Sequence, residues 1–325
     1  MAAITSSGGK RLVLVSGRAH MELAKAVAAE LDTELVHTDA RTFANGEIYA
    51  RFDDSVRGAD MFVIQSHTSP INEWLMEQLI MVDAAKRASA KRITVVAPFY
   101  PYARQDKKGR GREPISARLV ADLFKAAGAD RIMSVDLHAA QIQGFFDGPV
   151  DHLFAMPVLL EHFQAQLDPS TLTVVSPDMG RVRVADVWSD KLGAPLAIIH
   201  KRRDPVVPNQ VSVHEIVGEV AGRVCLIVDD LIDTGRTIVK AAEALKAHGA
   251  TGVVVAATHA VFSDPAVQIL QSEFIDSVVV TDTLPIAAEK RWDRLVVLPI
   301  APLLARAIHE VFDDGSVTSM FDGAA

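Results

Sequence analysis

Residues 223–244 read RVCLIVDDLIDTGRTIVKAAEA, and the fold is decided there. The stretch opens on an apolar run, Val224 to Val228, β-branched and short enough for a buried strand. It breaks into Asp229, Asp230, Leu231, Ile232, Asp233, Thr234, Gly235, Arg236 and Thr237. It then reads as a helix with Ile238, Ala241, Ala242 and Leu245 on one face. A strand, a polar turn and a helix start offer backbone N–H groups, two threonine hydroxyls and a positive helix end to an anion. Asp229 and Asp230 fall at the strand's carboxyl end, where open α/β sheets bind ligands. They suit sugar hydroxyls, a metal, or both. The plainer alternative is that Asp233 and Thr234 only cap a helix. Two acids at the strand tip followed by D-x-x-D-T-G-x-T exceed what capping needs.

The totals narrow the field. The chain has 325 residues, 49% hydrophobic and 23% charged, a length for about two domains. No apolar run approaches the ~20 residues that span a bilayer, and MAAITSSGGK at the N-terminus has no signal-peptide core and reads as a frayed tail. The single cysteine, Cys225, lies inside the apolar strand and reads as a small buried hydrophobe rather than a nucleophile. A disulfide-free cytoplasmic protein is expected. The net charge of −8 argues against general nucleic-acid binding. An anionic ligand must then meet local basic clusters, of which there are two, Arg104 to Arg112 and Lys201 to Arg203.

Outward from the opening stretch, strands alternate with helices, the mark of βαβ units and a mainly parallel sheet. Strands are expected at 11–16, 34–38, 61–65, 92–98 and 131–135, with helices at 21–31, 72–88 and from Glu113-Pro114 to Gly128. Asn45-Gly46-Glu47 is a turn signal whose plain reading is a hairpin. The loop from Phe99 to Arg112 mixes aromatics with basic residues. It suits a nucleic-acid patch, a nucleotide loop with Arg104 on phosphate, or a solvated surface. The 131–135 strand ends in Asp136-Leu137-His138, which suits a metal or a phosphate, or a satisfied structural histidine. A helix over 153–166 follows. The second half repeats the pattern with strands at 172–176, 196–200, 252–258, 277–281 and 295–298 and helices at 182–192, 264–272 and 301–312. The similarity of the halves suggests a duplication. The turn Pro177-Asp178-Met179-Gly180-Arg181 can face a second phosphate. Lys201 and Arg203 root a long polar segment ending near Gly222, a length typical of functional lids or of disorder.

The segment V-D-D-L-I-D-T-G-R-T resembles the phosphoribosyl-binding signature of the type I phosphoribosyltransferase fold. Together with Y-A-R-Q-D-K-K at 102–108, D-L-H-A-A-Q-I-Q-G-F-F at 136–146 and S-P-D-M-G at 176–180, it resembles the class I ribose-phosphate diphosphokinases, or phosphoribosyl pyrophosphate synthetases. The resemblance runs from Leu12 to Phe321. It implies two phosphoribosyltransferase-like α/β domains, each a mainly parallel sheet flanked by helices. One spans 9–152 with a C-terminal segment from about 304 to 325, and the other spans 153–303. It implies transfer of the pyrophosphoryl group of ATP to the C1 hydroxyl of ribose 5-phosphate, feeding nucleotide, histidine and tryptophan synthesis. Asn45, Gly46, Glu47, Arg104 and Gln105 would bind ATP, and His138 and Asp178 would serve magnesium. Asp229, Asp233, Thr234, Gly235, Arg236 and Thr237 would hold ribose 5-phosphate, and Lys201 and Arg203 would form the catalytic loop, with Arg203 also on the sugar phosphate. A homohexamer is implied, with phosphate and ADP as effectors at a site that includes Ser316-Val317-Thr318; the plain reading of that tail is a terminal strand.

Two departures stand out. Arg181 and Arg236 occupy loop positions where many relatives carry glycine. Glycine permits positive φ and close backbone approach, whereas arginine can add a charged contact. Arg236 is expected to keep a phosphate-compatible backbone and point its side chain outward or across the site. Two rivals remain from the residues. One is an ordinary phosphoribosyltransferase, which the 102–108 and 136–146 motifs oppose. The other is a non-catalytic regulatory subunit, which Lys201, Arg203, His138 and Asp178 oppose.

Overall fold

The computed structural model describes residues 9–202 and 213–321. Two compact units emerge: one holds the chain up to Phe154, Thr283–Pro285 and the stretch from Pro299, and the other holds Ala155–Asp282 and Ile286–Leu298.

The first unit begins with β1 (Leu12–Ser16), α1 (Met21–Glu30), β2 (Thr38–Thr42), β3 (Ile48–Phe52) and β4 (Asp60–Ile64). It continues with α2 (Ile71–Arg87), β5 (Arg92–Val96), α3 (Ser116–Ala127), β6 (Arg131–Val135) and β7 (Val150–Leu153). A parallel sheet runs β1-β4-β5-β6-β7, and a bridge from Leu14 to Leu35 adds a fifth parallel contact on the outer side of β1. β1 and β4 are buried at every residue, as expected of strands covered on both faces. The strand expected at 34–38 survives only as that bridge. The chain instead pairs β2 with β3, and Phe43–Glu47 closes the turn through Phe43 N–H to the Glu47 carbonyl at 2.7 Å. The hairpin reading of Asn45-Gly46 therefore holds, with Gly46 at φ +90°. α3 starts at Ser116, later than Glu113-Pro114, because the Glu113 carboxylate accepts from the Gly109 and Arg110 N–H groups at 2.7 and 2.8 Å and closes the basic loop. It ends on Gly128 at φ +119°, a left-handed cap. β7 takes Leu153 (Val150–Leu153), and the helix expected from 153 starts at Met156.

His67, just after β4, is 1% exposed. Its Nδ1 lies 3.1 Å from the Phe99 carbonyl, which only accepts, so Nδ1 carries the proton; Nε2 has no partner among the described residues. Burial pushes its pKa down from 6.5 to about 4, against the pull of the Phe99 carbonyl. Below pH 6.5 the unfolded chain takes up a proton that the folded chain refuses. This contribution to stability is complete above pH 6.5 and is lost as pH falls toward 4, in total about 3 kcal/mol. Denaturant unfolding across that window should show the decline, and a His67→Gln variant should flatten it. Equal slopes in parent and variant would contradict the assignment.

The second unit comprises α4 (Met156–Gln164), β8 (Leu172–Ser176), α5 (Val182–Leu192), β9 (Leu196–Arg202), β10 (Val213–Val217) and β11 (Val224–Ile232). α6 (Arg236–Ala247), β12 (Gly252–Ala260), α7 (Ala266–Leu270), β13 (Ser277–Thr281) and β14 (Leu295–Leu298) follow. The sheet runs β10-β9-β8-β11-β12-β13-β14, antiparallel only between β10 and β9. β9 reaches Arg202 because β10, inside the segment expected to be a lid, pairs with it. α8 (Ala301–Phe312) then returns to the first unit and packs on α1, and a short 3-10 turn, Val317–Phe321, stands where a terminal strand was the plain reading. No helix among the described residues is long and apolar enough to cross a membrane.

Both sheets reverse direction of growth once. In the first, the Leu35 segment and β4 lie on opposite sides of β1; in the second, β9 and β11 lie on opposite sides of β8. Such reversals open a crevice at the carboxyl ends of the strands.

Candidate functional site

The crevice of the second unit lies between β8 and β11. Their pairing ends at Ile227 with Val175, while β11 continues beside β12 through Leu231 with His259 and Ile232 with Ala260. The strand is thus longer than Val224–Val228. Its last four residues have β12 on one side and the turn after β8 on the other. Asp229 and Asp230 project there, and Arg181 reaches them from that turn. Arg181 Nε is 3.2 Å from Asp229 Oδ1, and Nη2 is 2.6 Å from Asp230 Oδ1. Burial and the neighbouring Asp230 carboxylate hold the Asp229 pKa well above the usual carboxylate range, and Arg181 opposes that shift.

Beyond the acids, Asp233 and Thr234 are half-buried and Gly235 is buried at φ +73°. Gly235 is the residue that needs positive φ in this loop. Arg236 is the first residue of α6, exposed and helical, so its position makes no demand for glycine; Thr237 is likewise exposed on the first turn. Arg181 has φ −105° and makes none either. The two arginines that depart from the glycine pattern therefore cost no backbone strain. The first turn of α6 directs its N–H groups past Asp233 and Thr234, a ready anion cradle.

Asp178 caps the 3-10 turn Met179–Arg181, its Oδ1 accepting from Gly180 N–H at 2.8 Å. Its other carboxylate oxygen has no hydrogen bond among the described residues. Lys201 lies in β9, its backbone paired with His214; Arg203 lies outside the described residues. Cys225 is buried, with its thiol pushed up to about 11 by burial, consistent with an inert core residue.

In the first unit, the equivalent crevice is filled. A methyl group on Gly17 would collide with the Gln65 side chain. Fully buried Glu77 accepts from Arg18 N–H at 2.7 Å, Arg18 Nε at 2.6 Å and Gln65 Nε2 at 3.0 Å. The polar loops instead follow β5 and β6. Arg104 and Gln105 are exposed, Gln105 accepting from Ser116 Oγ at 2.7 Å. His138 is half-buried in the next loop, and a hydrogen bond from Gln141 to buried Asp106 ties the two loops together. Asn45, Gly46 and Glu47 are exposed at the β2–β3 turn, where Asn45 Oδ1 accepts from Glu47 N–H at 3.1 Å; the β3 strand of this hairpin packs on α2.

The structure thus gathers Arg104, Gln105 and His138 on linked loops of one unit, and Asp178, Asp229, Asp233, Thr234, Gly235, Arg236 and Thr237 around the crevice of the other. It adds Arg181, Asp106 and Gln141, whose partners are remote in sequence. Among the described residues no group of three or more His, Cys, Asp or Glu side chains is set to hold a metal ion. Each unit supplies one of the two side chains expected at a metal, His138 in the first and Asp178 in the second, fewer than a protein cage for a resident ion takes.

Comparison with known proteins agrees with this geometry. Residues 12–128 match the N-terminal domain of ribose phosphate pyrophosphokinase, and residues 205–322 match the phosphoribosyl synthetase-associated domain. A ribose-phosphate pyrophosphokinase of Streptomyces coelicolor is 64% identical over 322 residues, covering 99% of both chains. One from Corynebacterium efficiens is 60% identical over 326 residues and the full length of both. The crystal structure of phosphoribosylpyrophosphate synthetase from Mycobacterium smegmatis superposes with a TM-score of 0.87 at 58% identity, covering 94% of this chain and 99% of that one. With two α/β units and full-length identity of this order, the chain belongs to the ribose-phosphate pyrophosphokinase family.

Proposed function

We propose that the protein transfers the pyrophosphoryl group of ATP to the C1 hydroxyl of ribose 5-phosphate, giving 5-phosphoribosyl 1-pyrophosphate and AMP. The C1 oxygen attacks the β-phosphorus, the bond from that phosphorus to the α-bridging oxygen breaks, and the hydroxyl proton is released. The observation that carries this reading is the Asp229–Asp230 tip followed by Gly235 at φ +73° and the start of α6. It supplies acceptors for ring hydroxyls and, one turn further, donors for a phosphate.

In this reading Asp229 holds the sugar hydroxyls, while Asp233, Thr234, Gly235, Arg236 and Thr237 cradle the 5-phosphate, joined by Arg203. Asn45, Gly46, Glu47, Arg104 and Gln105 bind ATP. His138 and Asp178 hold magnesium, which when bound neutralises phosphate charge and orients the donor. Lys201 and Arg203 meet the charge that builds on the β-phosphate. Transfer of this kind asks the protein mainly for positioning and charge stabilisation. The domains proposed are 9–152 with about 304–325, and 153–303.

We further propose a cytoplasmic homohexamer with phosphate and ADP as effectors. The supporting feature is a depression of about 370 Å³ in the first unit, lined by Arg131, Asp151, Ser316, Val317 and Thr318. Arg131 Nη1 lies 2.8 Å from both Asp151 oxygens, an ion pair in its lining, and the Ser316 and Thr318 hydroxyls offer donors to an anion.

Incubating the purified protein with ATP, magnesium and ribose 5-phosphate should yield AMP only when the sugar phosphate is present. Added phosphate should raise the rate and ADP lower it, and light scattering on the same sample should give six chains. ATP left untouched would overturn the synthetase reading. Consumption of 5-phosphoribosyl 1-pyrophosphate with a base would instead mark an ordinary phosphoribosyltransferase.

A further inference from the structure

The guanidinium of Arg181 occupies a telling position. Two consecutive carboxylates at a strand tip repel each other, and this pair is well removed from water, with side chains 18% and 9% exposed. Arg181 is itself only 14% exposed and touches one oxygen of each. It comes from the turn after β8, which parallel pairing brings to the same rim as the end of β11. Its position at the start of α5 fixes the reach of the side chain. Charges this far removed from water are stabilised by contacts with one another. Arginine keeps its proton at any working pH, so the cation is permanent. A divalent ion approaching the same oxygens would be repelled by it. A sugar diol is a neutral donor, which carboxylate oxygens accept from without any extra positive charge.

We propose that Arg181 is a built-in counter-cation for Asp229 and Asp230, so that the pair takes the ring hydroxyls of ribose 5-phosphate without a divalent ion of its own, and that removing the guanidinium converts the pair into a divalent-cation site. The sugar-binding half rests on the function proposed above; the cation half does not.

The test uses the full-length protein, Arg181→Met, which keeps the aliphatic stem, and Arg181→Lys, which keeps the charge. Calorimetric titration of ribose 5-phosphate is run with a chelator and again with millimolar magnesium. The parent and Arg181→Lys should bind with or without magnesium. Arg181→Met should bind about tenfold or more weakly under chelation and recover when magnesium is added. In thermal unfolding without any sugar, magnesium alone should raise the melting temperature of Arg181→Met more than that of the parent. If Arg181→Met does not fold, Arg181→Gln takes its place in both measurements. Parent affinity that collapses under chelation overturns the proposal. So does a loss in the neutral variant that magnesium fails to restore, with no thermal shift, because the guanidinium would then only brace the fold. A parent that never binds ribose 5-phosphate sinks the functional reading instead, and the thermal measurement still decides the role of Arg181.

Discussion

Lys201→Ala is expected to lower turnover by at least roughly 10²-fold, the scale for losing one preorganised electrostatic group. As the pyrophosphoryl group moves, negative charge builds on oxygens that carry a full complement already. A cation that meets this charge in the transition state, and less of it in the ground state, acts on kcat more than on KM. The backbone of Lys201 is held in β9 by its pairing with His214, so the alanine variant leaves the strand that carries it intact. Initial rates of AMP formation, with the KM for ribose 5-phosphate measured alongside, give the answer. Turnover close to that of the parent would strike Lys201 from the catalytic residues. A large rise in KM at unchanged kcat would make it a binding residue instead.

Gly235→Val should weaken ribose 5-phosphate binding by a similar factor, for a different reason. Gly235 has φ +73°, where a β-branched residue is a genuine outlier. The left-handed conformation alone costs an L-residue about 1–2 kcal/mol. A methyl group there would also meet Leu270 Cγ at 3.1 Å and Cδ2 at 3.2 Å, and Leu270 is 1% exposed with little room to retreat. The loop must shift, and with it the N–H groups at the start of α6. Misplacing a substrate cradle by about 1 Å can cost 10²-fold. Gly235→Ala, which adds the strain and the tight contact without the branch, should fall between the two. Calorimetry of ribose 5-phosphate on all three proteins tests the series; parent-like affinity in the valine variant would show that the loop does not touch the sugar phosphate.

Much of the chain could be read without coordinates. Strands 131–135, 172–176, 277–281 and 295–298 and helices 182–192 and 301–312 have the boundaries read from the residues. These are long periodic or compact apolar runs, where local pattern and burial agree. The misreadings cluster where a partner strand decides. Residues 34–38 carry strand-like composition, yet the chain pairs at 38–42 because β3 offers an antiparallel mate. β10 was hidden in a polar segment because an edge strand needs only one apolar face, and β11 runs past its acids because β12 runs as far.

What the sequence determined alone was the order of elements, the acid pair at a strand end and the phosphate-loop chemistry of D-T-G-R-T, because each depends on neighbours a few residues away. Only the tertiary structure decided which glycine bears positive φ, that the first crevice is filled by Gln65, Glu77 and Arg18, and that Arg181 neutralises Asp229 and Asp230. Those outcomes depend on parallel pairing between strands far apart in the chain, which carries side chains to a common rim that no local spacing reveals.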